Sequence, residues 1–236
     1  MSGQHKRGNQ VLDLLSSDDY ARLAPKLSPV DLEVNQVIYE MNRQIEFAYF
    51  PLSGALSAVV VMEDGGMIEV GTVGNEGAVG LPTYGASDIS VNRVFVQVKG
   101  RAMKIAAHEL AKVSFDSEHF RLLIGRYQAT FNFQVSRSVA CNGLHNVQQR
   151  CARWLLMTHD RVQSDEVYLT HEFLGIMLGV RRASVTEVLQ TMQEQGLILG
   201  GRGKIVILDR LGLEKIACEC SAAVEHGYAR MLQLAG

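Results

Sequence analysis

A chain of 236 residues is long enough for one large domain or two modest ones. Hydrophobic residues make up 47% and charged residues 20%, which excludes a disordered chain and specifies a globular one. The formal net charge is −2, so the chain has no basic excess and any binding to a polyanion must use a local basic face.

The opening residues, Met1 to Gly8, lead into no apolar signal core. The longest apolar run, Ala58 to Met62, is too short to cross a bilayer. A cytoplasmic protein without a membrane partner is expected. Residues 9–27 read as short helices with Val11, Leu12, Leu14, Leu15, Leu23 and Leu27 as apolar points. From 30 to 106 the pattern becomes β-rich, with predicted runs at 32–39, 48–50, 55–62, 67–73, 93–98 and 102–105. Ser53-Gly54, Glu63-Asp64-Gly65-Gly66, Gly74-Asn75-Glu76-Gly77, Gly85 and Lys99-Gly100 are predicted to turn the chain between them. Many short strands at this spacing predict a sandwich or a jelly-roll-like roll.

From about 107 the spacing turns helical. Phe120, Ile124, Tyr127, Phe131, Gln134, Ser138 and Cys141 step alternately by four and three, a seven-residue stripe that needs a partner. The partner could be the roll or the same helix of a second subunit. A further amphipathic helix is predicted over 147–162 (Val147, Cys151, Trp154, Leu155, Thr158).

The strongest signal lies between Leu169 and Leu208. Thr170 is a good N-cap for a short helix whose buried side is Leu174 and Leu178, and Gly175 is small where a crossing helix would press. Gly179 ends that helix and can take the left-handed conformation of a sharp turn, and Val180 fills the corner. A second helix buries Val185, Val188, Leu189 and Met192. Two helices joined in this way make a helix-turn-helix. The second helix presents Arg181, Arg182, Ala183, Ser184, Thr186, Glu187 and Gln190 outward. One arginine can fork onto guanine O6 and N7 while another holds phosphate. A β-ribbon follows, with Arg202 and Lys204 at the tip of a glycine-rich loop that reads as a wing able to reach phosphates.

Other chemistry finds little support. Residues 30–105 contain no histidine or cysteine, which removes the ligands of a metal-dependent roll enzyme, and no G-x-S-x-G is present. No enzyme is expected. The histidines show no metal-ligand spacing. Of the four cysteines, 141, 151, 218 and 220, the pair Cys218-x-Cys220 reads as small residues on a C-terminal helix ahead of a metal or redox site. No metal or cofactor is expected.

On these residues the chain resembles the Crp/Fnr family of bacterial transcription regulators. The segment from Thr170 to Arg182 is similar to the family's approach to its recognition helix. Gln36-Val-Ile-Tyr-Glu, Tyr49-Phe-Pro-Leu-Ser-Gly, Met67-Ile-Glu-Val-Gly and Val73-Gly-Asn-Glu-Gly-Ala-Val-Gly resemble its effector roll. The resemblance implies an α+β chain with a roll (1–116), a dimerisation helix (117–145, with Phe120, Ile124, Tyr127 and Phe131) and a winged helix-turn-helix (146–236). It also implies a homodimer on a palindromic DNA operator, with RNA polymerase as a further partner. Thr170, Arg181, Arg182, Ser184, Thr186, Glu187, Arg202 and Lys204 become the DNA-binding set. Arg182 matches the guanine-reading arginine, whereas Ala183 and Glu187 depart from the common pattern and imply a different operator. Gly74, Glu76, Gly77, Ser90 and Arg93 mark the effector pocket. The family's phosphate-binding arginine falls near Ser90, so cyclic AMP is not the expected effector. Another small effector (another cyclic nucleotide, or haem) and a redox response through the cysteines stay open.

Overall fold

The computed structural model describes residues 6–83, 88–162, 164–201 and 203–233. Two compact units emerge, residues 1–58, 72–133 and 227–236 in one, and residues 59–71 and 134–226 in the other. Among the described residues, no helix is long and apolar enough to cross a membrane.

The first unit begins with two short helices, α1 (Gln10–Asp13) and α2 (Ser17–Leu23). Asn9 ties them to the roll. Its Oδ1 caps α1 by accepting from Val11 and Leu12, and its Nδ2 donates to the carbonyls of Pro51 and Gly77, both at 2.8 Å. Every polar atom of this fully buried amide therefore has a partner. The strands are β1 (Ser28–Leu32), β2 (Val37–Tyr39), β3 (Phe47–Val61), β4 (Met67–Val73) and β5 (Arg93–Ala106). They hydrogen-bond in the order β1-β5-β3-β4, with β2 also on β5. β1 runs antiparallel to β5, from Ser28 opposite Lys104 to Leu32 opposite Gly100.

Two predicted turns are absent. Ser53-Gly54 and Lys99-Gly100 lie inside the long strands β3 and β5. A Cβ on Gly100 would sit 2.1 Å from the Ser53 carbonyl oxygen, and one on Gly54 would sit 2.5 Å from that of Val98. These glycines allow two backbones to approach closely where long strands bend, so they do not end them. The predicted strand over 32–39 is divided instead, with Asn35 at φ 67° between β1 and β2. Gly85 lies outside the described residues. Phe50, Leu56, Val96 and Ile105 form the roll's apolar interior with Leu110 of α3 (Ala107–Phe115) and with Phe120 and Ile124 of α4 (Glu118–Leu144). Together they give the predicted order of a β-roll, a long helix and a C-terminal helix-turn-helix.

The second unit is built on α5 (Val147–Val162), buried from Arg150 to Thr158. Trp154 stacks edge-on against Phe173 at 6.3 Å, and its indole N–H donates to Glu69 at 3.1 Å. Around α5 lie α6 (His171–Leu178), α7 (Arg182–Glu194), α8 (Arg210–Ile216) and the start of α9 (Cys220–Gln233). Strands β7 (Ile198–Gly201) and β8 (Lys204–Ile207) form the expected wing. A strand missed in the sequence, β6 (Glu166–Tyr168), pairs with β8 and completes a small antiparallel sheet. Three residues carry too little periodicity to register as a strand.

Candidate nucleic-acid interface

The turn between α6 and α7 is made as its residues dictate. Thr170 caps α6, its Oγ1 accepting from the Phe173 N–H at 3.1 Å. Gly179 adopts φ 62°, ψ 39°, and its N–H closes onto the carbonyls of Gly175 and Ile176. Gly175 is pressed by the turn and by the start of α7, since a Cβ there would lie 2.9 Å from the Val180 carbonyl oxygen and 3.5 Å from the Arg182 nitrogen. Val185, Leu189 and Met192 are buried under α7, and Val188 is half-buried.

Arg181, Arg182, Ala183, Thr186, Glu187 and Gln190 are exposed on the opposite side of α7, with Ser184 half-buried. Among the described residues, no side-chain hydrogen bond caps the N-terminus of α7. Its first N–H groups and the positive end of its dipole are therefore open beside two guanidinium groups, an arrangement suited to an anionic oxygen. Thr186 is committed within the protein. Its hydroxyl donates to the Arg182 carbonyl at 3.1 Å and lies 2.9 Å from Nδ1 of His171, which links α6 to α7.

The wing differs from its expected form. Arg202 lies outside the described residues. Lys204 is not a free cation at a loop tip, because its Nζ is 2.7 Å from Glu166 Oε1 on the newly found β6. Tyr168 donates to the other oxygen of the same carboxylate at 2.7 Å. The hydrogen bond to Glu166 raises the Lys204 pKa, and the same contact lowers that of Glu166.

The residues marked in the roll fall into two groups. Gly74, Glu76 and Gly77 form a turn after β4, where Glu76 Oε1 accepts from the Gly74 N–H at 3.1 Å. Gly77 packs against Tyr127, leaving no room for a Cβ, which would sit 2.2 Å from the hydroxyl. Ser90 is buried and its hydroxyl donates to the Asn92 carbonyl at 2.7 Å. Arg93, at the start of β5, sits 3.4 Å from Glu40.

The stripe on α4 points inward. Phe120, Ile124, Tyr127, Gln134, Ser138 and Cys141 are buried within the chain and Phe131 is half-buried. The opposite face carries Leu122, Gly125, Ala129, Asn132, Ser136 and Val139, all exposed and also at heptad spacing. Either face satisfies the same period, and only the packing tells them apart.

Residues 149–216 match the family described as the Crp-like helix-turn-helix domain. These residues therefore form a Crp-like helix-turn-helix domain. Solved structures share the chain's fold. A Crp/Fnr-family transcriptional regulator from Eubacterium rectale has a TM-score of 0.68 at 20% identity, covering 86% of this chain and 94% of its own. FixK2 from Bradyrhizobium japonicum has a TM-score of 0.69 at 16% identity, covering 81% and 98%. A Crp/Fnr regulator from Thermus thermophilus has a TM-score of 0.66 at 20% identity, covering 80% and 98%. Among curated proteins, none matches the chain in sequence. The matched domain spans α5 to α8 and contains the exposed arginine face.

One grouping escaped the sequence reading. Cys141, His145, Cys218 and Cys220 come together in the second unit, with one ligand atom from each within 4.8 Å of the others. The expectation that no histidine has metal-ligand spacing is corrected, because His145, just past the end of α4, follows Cys141 by one turn, its N–H donating to the Cys141 carbonyl at 3.1 Å. Cys218 also does not lie on a helix; it occupies the break between α8 and α9.

Proposed function

We propose that this chain is a regulator of the Crp/Fnr type that acts as a homodimer on a palindromic double-stranded DNA operator, with α7 of each subunit in the major groove. The proposed parts are an effector roll (1–116), a dimerisation helix (117–145) and a DNA-binding head (146–236). The observation that carries the reading is the exposed, uncapped N-terminus of α7 bearing Arg181 and Arg182. Arg182 reads guanine, Arg181 and the open N–H groups hold phosphate, and Ser184, Glu187 and Arg202 complete the contact set. Thr170 and Thr186 act through position, since both hydroxyls hold the motif together. Lys204 contributes a cation tempered by Glu166. The dimer seam is the exposed face of α4 containing Ala129 and Val139.

The regulator works in the cytoplasm by binding and not by catalysis, and recruits or blocks RNA polymerase at its operator. An effector in the roll shifts the population of DNA-competent heads. Cyclic AMP is not that effector. Ser90, in place of a cation, spends its hydroxyl on Asn92, and Arg93 is drawn to Glu40, so a cyclic phosphate would be left without a dedicated positive partner. Selection of bound duplexes from random DNA tests the main reading: a recovered palindrome with half-sites about one helical turn apart supports it, and recovery of no sequence refutes it. Calorimetry showing tight cyclic AMP binding would overturn the reading of the roll.

A further inference from the structure

Cys141, His145, Cys218 and Cys220 form a compact donor set of three thiols and one imidazole. Cys141, Cys218 and Cys220 are buried, and the His145 side chain is 16% exposed. The Cys141 and Cys218 sulfurs are 3.4 Å apart, and the Cys220 sulfur is 3.8 Å from Nδ1 of His145. A disulfide needs sulfurs at about 2.05 Å. Four donors around a tetrahedral zinc with Zn–S near 2.3 Å stand about 3.8 Å from one another. The four donor atoms, all within 4.8 Å of one another, are nearer the second arrangement than the first.

Two neighbouring groups point the same way. His145 turns Nδ1 toward the sulfurs and places Nε2 3.3 Å from the carboxylate of Glu219, the residue between Cys218 and Cys220. A carboxylate on one ring nitrogen puts the proton there and leaves the other nitrogen free to bind a metal. Arg153 is the second. It is buried, close enough for its charge to act on all three thiols, and donates to the Ser138 hydroxyl at 3.3 Å, while its Nε has no hydrogen-bond partner among the described residues. A buried guanidinium is costly unless a counter-charge pairs with it. A divalent cation held by three thiolates and a neutral imidazole carries one net negative charge, which supplies that counter-charge to Arg153.

We propose that Cys141, His145, Cys218 and Cys220 bind a structural zinc ion. Zinc takes all three sulfurs as thiolates, any thiol proton leaving to solvent, and has four protein donors and no open position, the pattern of structural and not catalytic sites. Soft thiolates in a tetrahedral set favour zinc over magnesium, calcium or manganese. The site closes a long loop, because the matched domain at 149–216 lies wholly between His145 and Cys218. Zinc thus clasps the two ends of the DNA-binding head.

The test is elemental analysis of the full chain, made without a histidine tag and freed of loose metal by gel filtration. About one zinc per chain is expected. Cys218→Ser and Cys141→Ser should lose it, while Cys151→Ala, outside the cluster, should keep it. Glu219→Gln should keep the four donors but weaken zinc in chelator competition by about 10–100-fold. Should the serine variants fail to fold, cobalt loading of the unmodified chain decides the matter, with thiolate charge-transfer and tetrahedral ligand-field bands expected. A chain that stays zinc-free in added zinc, carries iron instead, or is isolated with a Cys141–Cys218 disulfide would overturn the proposal.

Discussion

Replacing Arg182 by alanine separates recognition from folding. The side chain is exposed and sits at the first position of α7. Its backbone carbonyl accepts from the Thr186 hydroxyl at 3.1 Å, a contact that survives the substitution. The stability of the head should therefore stay within about 0.5 kcal/mol, as for a surface change that touches no packed or capped group. Loss of a bidentate guanine contact costs about 1–3 kcal/mol, so affinity for the selected operator should fall about 5- to 160-fold. Unrelated duplex should lose much less, because only one of several cations near the backbone is removed. Arg182→Lys keeps the charge without the planar fork and should resemble the alanine variant on the operator while matching the native protein on unrelated DNA. Fluorescence anisotropy on both duplexes at matched salt, with urea melts as control, reads all of these. An equal loss on both duplexes would make Arg182 a phosphate contact, and no loss at all would remove it from the interface.

Further outcomes follow from particular contacts. Glu166→Gln releases the Lys204 ammonium and should tighten binding to unrelated duplex, steepening the salt slope by up to about one unit. Lys204→Ala should flatten the slope by less than one unit, because that charge is already partly neutralised; salt titrations of both variants check the pair. Gly179→Ala places a side chain at φ 62° with its Cβ 2.7 Å from the Ile68 Cδ1, and should destabilise the head by about 1–2 kcal/mol in denaturant melts. Val139→Glu puts a charge on the exposed face of α4 and should convert dimer to monomer in light scattering, whereas a dimer that persists would place the seam elsewhere. Burial acts to raise the pKa of Asp19, but hydrogen bonds from Ser117, Ser16 and His119 outweigh it and hold the carboxyl below its ordinary value of 3.8. A depressed pKa contributes stability above the unfolded value that is lost as pH falls through the folded one, so the first unit should weaken below about pH 4 and Asp19→Asn should flatten that fall.

Much of the DNA-binding head was legible in the sequence because its information is local. Thr170 as a cap, Gly179 in a left-handed turn and the i, i+3, i+4, i+7 burial of α7 each depend on residues within two helical turns. The roll was legible in kind but not in detail. A glycine inside a strand and a glycine in a turn share one local signature, and only the approach of β3 to β5 shows that Gly54 and Gly100 belong to the former.

Three features belonged to tertiary structure alone. A heptad stripe fixes a period and not a direction, so packing decided that Phe120, Ile124 and Tyr127 face inward while Ala129 and Val139 face out. The sequence placed a lysine near the wing tip, but the partner that restrains it sits 38 positions earlier, on a strand too short to announce itself. The sequence showed Cys218 and Cys220 as a close pair and no histidine at metal-ligand spacing. A donor set becomes a site only when all four atoms converge, and here two sulfurs 77 positions apart in the chain are brought to 3.4 Å by the fold.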